Sequence, residues 1–204
     1  MSSNSENSPV WRLAFCSNKT FRLNPHDLDY FNKYFVGKRL PKRWTPPPIE
    51  ISGKSYKPRD FIGWMLSAPV VSERAKEVLL PLVSNFAEFR FLTEFKGKNY
   101  FCMNVYFTAD CLDLNASDIL FSPDDPKRIL DISTYAFREE AIPKAPVFKE
   151  AHHPRTIFVR QPFIDCVRSH RLTGSALLDP AVNPFYFILR GDYVDTNKGF
   201  NVRR

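Results

Sequence analysis

The chain has 204 residues, 44% of them apolar and 15% aromatic, with four cysteines and a formal charge of +7. That apolar share is enough for a packed core and sets aside disorder of the whole chain. No apolar run approaches the roughly 18 residues that a membrane-spanning helix needs, so no membrane partner is expected.

The opening MSSNSENSPVW is polar and lacks a basic stretch followed by an apolar one, so a cleavable secretory signal is not expected. Residues 1–9 are expected to form a disordered tail and 10–204 a single domain. Residues 10–15 and 20–23 suit opening strands, Asn24-Pro25 a turn, and 27–35 a short helix that Gly37 would end. The stretch 37–60 follows, with Lys38, Arg39, Lys42 and Arg43 around Trp44, then three prolines at 46–48 that no helix can cross. Basic residues beside an aromatic are what single-stranded nucleic acid binding requires, and an ordered surface connection is the plainer alternative.

Residues 66–83 hold the clearest helix signal. Ser72 can cap it, Glu73 suits the positive end of its dipole, and Ala75, Val78, Leu79 and Leu82 recur along one face. Pro81 is expected to bend or stop that helix near Leu80. Two strands then alternate over 86–95 and 100–107 around a turn at 96–99, the makings of an antiparallel hairpin. Five aspartates between 110 and 125 lack the internal glycine and closing glutamate of a calcium loop. A strand is expected over 129–137, a proline-rich loop with His152 and His153 over 141–154, and a strand over 156–159. Pro162 opens a helix that Gly174 can close in the left-handed conformation, and strands over 175–178 and 185–189 complete the core. The whole reads as an α+β fold, a mostly antiparallel sheet with a few packed helices.

Cys16, Cys102, Cys111 and Cys166 form no close pair and sit in apolar surroundings, as suits reduced core thiols in a cytoplasmic protein. The adjacent His152 and His153 have no nearby cysteine, and no metal or other cofactor is expected. No GxSxG, GxxxxGK[ST], HExxH or GxGxxG pattern occurs, and no enzymatic activity is expected. Charge is uneven: residues 1–60 sum to +6, 61–148 to −3 and 149–204 to +4. Basic ends around an acidic middle suit an acidic partner, or a merely solvated surface.

Three segments carry a resemblance: VVSERAKEVLLPL, YFCMNVYFTADCLDLNASD and IFVRQPFIDCVRSHRLTGSALL. They resemble the eleventh numbered immunity-protein family of bacterial polymorphic toxin systems, formerly domain of unknown function 1629. The matching features are Val71-Ser72-Glu73, then Cys111-Leu112-Asp113 with Ser117, then the strand–helix unit that closes on Leu172-Thr173-Gly174. The resemblance covers about 62–178, and the late unit departs from the pattern in having Gln161-Pro162 where a second Ser-Glu helix start would stand. It implies a non-enzymatic protein that binds and neutralises a cognate toxin. The chain's basic character adds the expectation that the toxin presents an acidic face. Candidate contacts are Arg43, Trp44, Tyr56 and Arg59 in the leader and His152, His153 and Arg155 in the second loop, with Ser72 and Gly174 structural. A nucleic-acid-binding protein using the basic leader is the alternative, and an enzyme of another kind a further one.

Overall fold

The computed structural model describes residues 9–15, 22–26, 29–52, 59–65, 67–181 and 194–195. Two antiparallel-dominated sheets form its frame. The first, in the order β4-β5-β7-β6, is made of β4 (Phe61–Met65), β5 (Ala68–Ser72), β7 (Lys98–Val105) and β6 (Ala87–Phe95). The second runs β14 (Val194–Asp195), β13 (Ser175–Leu178), β1 (Trp11–Phe15), β12 (Ile157–Val159), β11 (Val147–Glu150) and β8 (Thr108–Ala109), and only β11 with β8 is parallel. Two ribbons stand apart, β2 (Arg22–Pro25) with β3 (Ile49–Ser52), and β9 (Asp118–Phe121) with β10 (Ile129–Thr134). The helices are α1 (Asp29–Tyr34), α2 (Glu73–Val83) and α3 (Gln161–Ser169).

Side chains alternate across a strand, so each sheet feeds two cores. Val71, Met103 and Val105 of the first sheet and Leu13, Val147, Ile157 and Val159 of the second meet Ala75, Leu79 and Val83 of α2 and Phe163, Ile164 and Val167 of α3. On the other face of the first sheet, Val70, Tyr100 and Cys102 pack on Leu23, Phe35 and Leu40. Behind the second sheet, Phe148 and Phe158 pack on Cys111, Leu112, Ile132 and Tyr135. The architecture is the expected α+β one.

The β6–β7 hairpin forms where expected. Lys96 (φ 51°) and Gly97 (φ 69°) make the two-residue turn between Phe95 and Lys98, a twist that matches the flanking strands. The helix does not stop near Leu80, because α2 continues through Pro81 to Val83. Pro81 removes one donor in the last turn, and Glu77 and Pro81 are both exposed, so the carbonyl that loses its partner lies on the solvent side. Of the stretch 66–83 read as helix, Ala68–Ser72 is strand β5, paired with β4, and the helix begins only at Glu73. Asn24-Pro25 lies in β2 instead of a turn, a place proline can take in an edge ribbon. The loop expected over 141–154 contains β11, whose Val147 and Phe148 pair with Val159 and Phe158. The strand expected over 185–189 and residues 1–8 of the tail expected over 1–9 lie outside the described residues.

Candidate functional site

Asp60 begins the most connected polar cluster. It is buried just before β4, and its Oδ1 accepts from Ser72 Oγ at 2.9 Å. Its Oδ2 accepts from Arg74 Nη1 and Thr173 N at 2.9 Å each, and from Thr173 Oγ1 at 3.1 Å. Backbone bonds run in parallel, Ser72 N to Asp60 O at 2.9 Å and Phe61 N to Thr173 O at 2.8 Å, while Arg74 also donates to His170 O. Ser72 caps α2 as expected, its Oγ accepting from Ala75 N at 3.2 Å. Gly174 takes φ +95°, and a Cβ there would lie 2.2 Å from Phe61 O. With four donors on one carboxylate, this is a junction that ties β4, the start of α2 and the turn after α3. Arg59 lies beside it, lining a cleft of about 320 Å³ with Ser72, Arg74, Lys98 and Tyr100.

The basic leader is pinned rather than loose. Asn104, fully buried, donates to Lys38 O at 2.8 Å and to Glu88 Oε1 at 3.0 Å, and Leu40 N donates to the same carboxylate. Arg39 stacks 3.9 Å over the Tyr106 ring and donates to its hydroxyl at 2.7 Å. Trp44 is half-buried against the cluster of Leu23, Phe35 and Leu40, whereas Lys42 and Arg43 project into solvent. Arg39 is thus exposed but engaged with Tyr106, and Trp44 packs on the apolar cluster. Tyr56 lies outside the described residues.

The leader abuts the histidine loop. A Cβ on Gly37 (φ +76°) would lie 2.4 Å from Thr108 Cγ2 and 3.5 Å from Pro154 Cβ, so only glycine lets these segments approach. In that loop the buried Glu150 Oε2 accepts from the backbone of His152 at 2.6 Å and His153 at 3.0 Å, and Oε1 lies 3.0 Å from His152 Nδ1. Asp110 Oδ1 is 2.7 Å from Arg138 and 3.9 Å from His152 Nδ1. Asp110, Glu150 and His152 are ligand types that a zinc ion uses, and their ligand atoms lie within 4.8 Å of one another. Each already has a partner, however, and the arrangement as it stands is a hydrogen-bonded brace for the loop. His153 turns inward, with Nδ1 3.3 Å from the Tyr135 hydroxyl, and burial followed by the charge of Arg155 lowers its pKa. His152 and Arg155 stay on the surface. Arg43, His152 and Arg155 therefore sit on two abutting exposed segments, while Arg59 belongs to the Asp60 cleft.

Lys149, unremarked in the sequence, is fully buried on β11. Its Nζ donates to Phe35 O at 2.7 Å and Ser67 O at 3.0 Å, joining the second sheet to the end of α1 and the β4–β5 turn. Burial pushes its pKa down to about 7.

A model of an immunity protein family, Imm11, matches residues 37–182. The chain belongs to the Imm11 immunity protein family. Curated proteins give no match to it. The Imm11 match begins at Gly37, where the leader meets Thr108 and Pro154, and so takes in the basic segment as well as the expected 62–178. Within it, the motifs that carried the resemblance explain scaffolding. Val71-Ser72-Glu73 and Leu172-Thr173-Gly174, about a hundred positions apart, meet at Asp60. Asp60 and Lys149 escaped sequence reasoning because their partners are distant along the chain; Asp110, weighed only among the calcium-loop aspartates, meets Arg138 far downstream, whereas Glu150 bonds the nearby His152 and His153.

Proposed function

We propose that this Imm11 chain acts in the cytoplasm by binding a cognate toxin and neutralising it, with no chemistry of its own. The observation that carries the reading is the family match over 37–182. The contact face proposed is the exposed part of the two segments that abut at Gly37 and Pro154, Lys42 and Arg43 on one and His152 and Arg155 on the other. Basic side chains held on a braced backbone suit an acidic toxin face, because little ordering entropy remains to be lost on association. The Asp60 cleft supports the scaffold, and Arg59 there lies outside this face. Half-buried Trp44, packed on Leu23, Phe35 and Leu40, and buried His153, against Tyr135, are left out of this face.

Copurification tests this. The tagged chain, expressed with the toxin encoded beside its gene in catalytically inactivated form, should retain that toxin. Replacing Arg43 and Arg155 by Glu should weaken the complex at least tenfold with the unfolding midpoint unchanged. No complex with the wild-type chain would overturn the reading.

A further inference from the structure

The β9–β10 ribbon carries a second surface of opposite character. Of the five large apolar side chains exposed among the described residues, three lie in one stretch: Leu114 at 47%, Leu120 at 59% and Phe121 at 39%. Around them, residues 110–131 hold six aspartates against Lys127 and Arg128, a balance of −4 in a chain of +7. The inner face of the ribbon is anchored, since Ile119 sits opposite Ile132 and both join the buried cluster of Tyr135, Phe148 and Phe158. The outer face is therefore a fixed surface rather than a loose flap.

Its details match one kind of ligand. Leu120 pairs across the ribbon with Asp131, both exposed, so an apolar side chain and a carboxylate stand side by side. A lysine or arginine satisfies both at once, its methylene stem on the leucine and its charge at the aspartate. β9 is also an edge, with no strand beyond it among the described residues, and its sequence DILF contains neither the lysine nor the proline that commonly guards an edge. In the segment just before β9, Leu114 lines a depression of about 330 Å³ with Asp110, Asp113, Arg138 and His152 of the histidine loop.

We propose that β9 and its aspartate rim take up a basic, extended segment of the toxin, which pairs along the β9 edge as an added strand and sets its cationic side chains against Leu120 and Asp131. This rests on the toxin-binding reading and adds a second contact to it. The leader face is basic and the ribbon acidic, so a partner with the complementary pair of patches docks in one orientation only, since the reverse sets like charges together.

The test measures affinity of the full chain for the inactivated neighbouring toxin by calorimetry, with hydrogen exchange on the complex. Leu120→Lys with Asp131→Lys should weaken binding at least tenfold while the unfolding midpoint stays put, and β9 amides should gain protection in the wild-type complex. Wild-type affinity in this double variant would overturn the proposal, and a tenfold loss from Arg43→Glu with Arg155→Glu in the same series would leave the toxin-binding reading standing. A wild-type chain that sediments as a dimer, converted to monomer by Leu120→Lys with toxin affinity unchanged, would also overturn it and assign the edge to a second copy. No wild-type complex at all would remove both readings together.

Discussion

Replacing Lys149 by Met gives a pH signature that few other positions could produce. The ammonium is fully buried with two carbonyl oxygens as partners, and burial pushes its pKa down to about 7. In the unfolded chain a lysine titrates near 10.4. Between those values the unfolded chain holds the proton and the folded chain does not, so stability rises with pH, at up to about 1.4 kcal/mol per unit. Below pH 7 both states are protonated and this dependence vanishes. Integrated from pH 7.5 to 9.5, the gain is about 2.5 kcal/mol. Other groups act across the same range. The Cys102 and Cys111 thiols, pushed up to about 12 by burial, oppose the gain because unfolded thiols ionise first. These terms are common to both proteins and cancel in the difference. At pH 7.5 the variant sheds the cost of holding a lysine largely deprotonated well below its free pKa but leaves Phe35 O and Ser67 O without a donor, roughly 1–3 kcal/mol each, so the net change there is small. Urea unfolding of both proteins at several pH values measures the slope. The difference should open by about 2.5 kcal/mol in favour of wild type on going from pH 7.5 to 9.5. Parallel curves would refute the reasoning and mean that Lys149 reaches water.

Asp60→Ala leaves Ser72 Oγ, Arg74 and both Thr173 donors without their acceptor, and should cost about 3 kcal/mol in denaturant unfolding; a loss below about 1 kcal/mol would contradict the junction. Gly174→Ala places a methyl 2.2 Å from Phe61 O at φ +95°, and should destabilise by about 2 kcal/mol or more. Ser72→Ala removes both the cap and the hydroxyl donor to Asp60, and should cost about 1–2 kcal/mol, read as a lower unfolding midpoint. Cys102 and Cys111 should resist iodoacetamide at pH 8 in the folded protein and react once it is unfolded, as followed by mass.

What could be read from the sequence was local. The cap at Ser72 and the Lys96-Gly97 turn each follow from residues within one turn of the chain, and the structure has both. Gly174 is left-handed as expected but does not close the helix: α3 ends at Ser169, and Arg171 (φ 51°) takes the left-handed position after it, with Leu172 N donating to Val167 O. Strands whose partners lie far off were harder. β11 hid in a proline-rich stretch because its VFKE gives no clean alternation, both faces being buried, one against Val159 and the other against Phe158. β4 was legible as apolar but not as a hairpin arm, since its turn at Ser67 carries no glycine or asparagine. The candidate site fared likewise. Exposure of Arg43 and Arg155 is what charge suggests, whereas His153 faces inward because Tyr135, more than fifteen positions upstream, supplies a buried partner. The apolar ribbon surface around Leu120 was overlooked because exposed leucine and phenylalanine look like core until the pairing register is known.

The central claim is that this chain silences a toxin by binding it, and a survival assay puts that claim to the most direct trial. The active toxin encoded beside the gene is induced in cells that also make the wild-type chain, the Arg43→Glu/Arg155→Glu variant, or neither. The account predicts survival with wild type, with toxin and chain recovered as one complex, and death with the variant although it accumulates folded. Death in the presence of abundant, folded wild-type chain would contradict it.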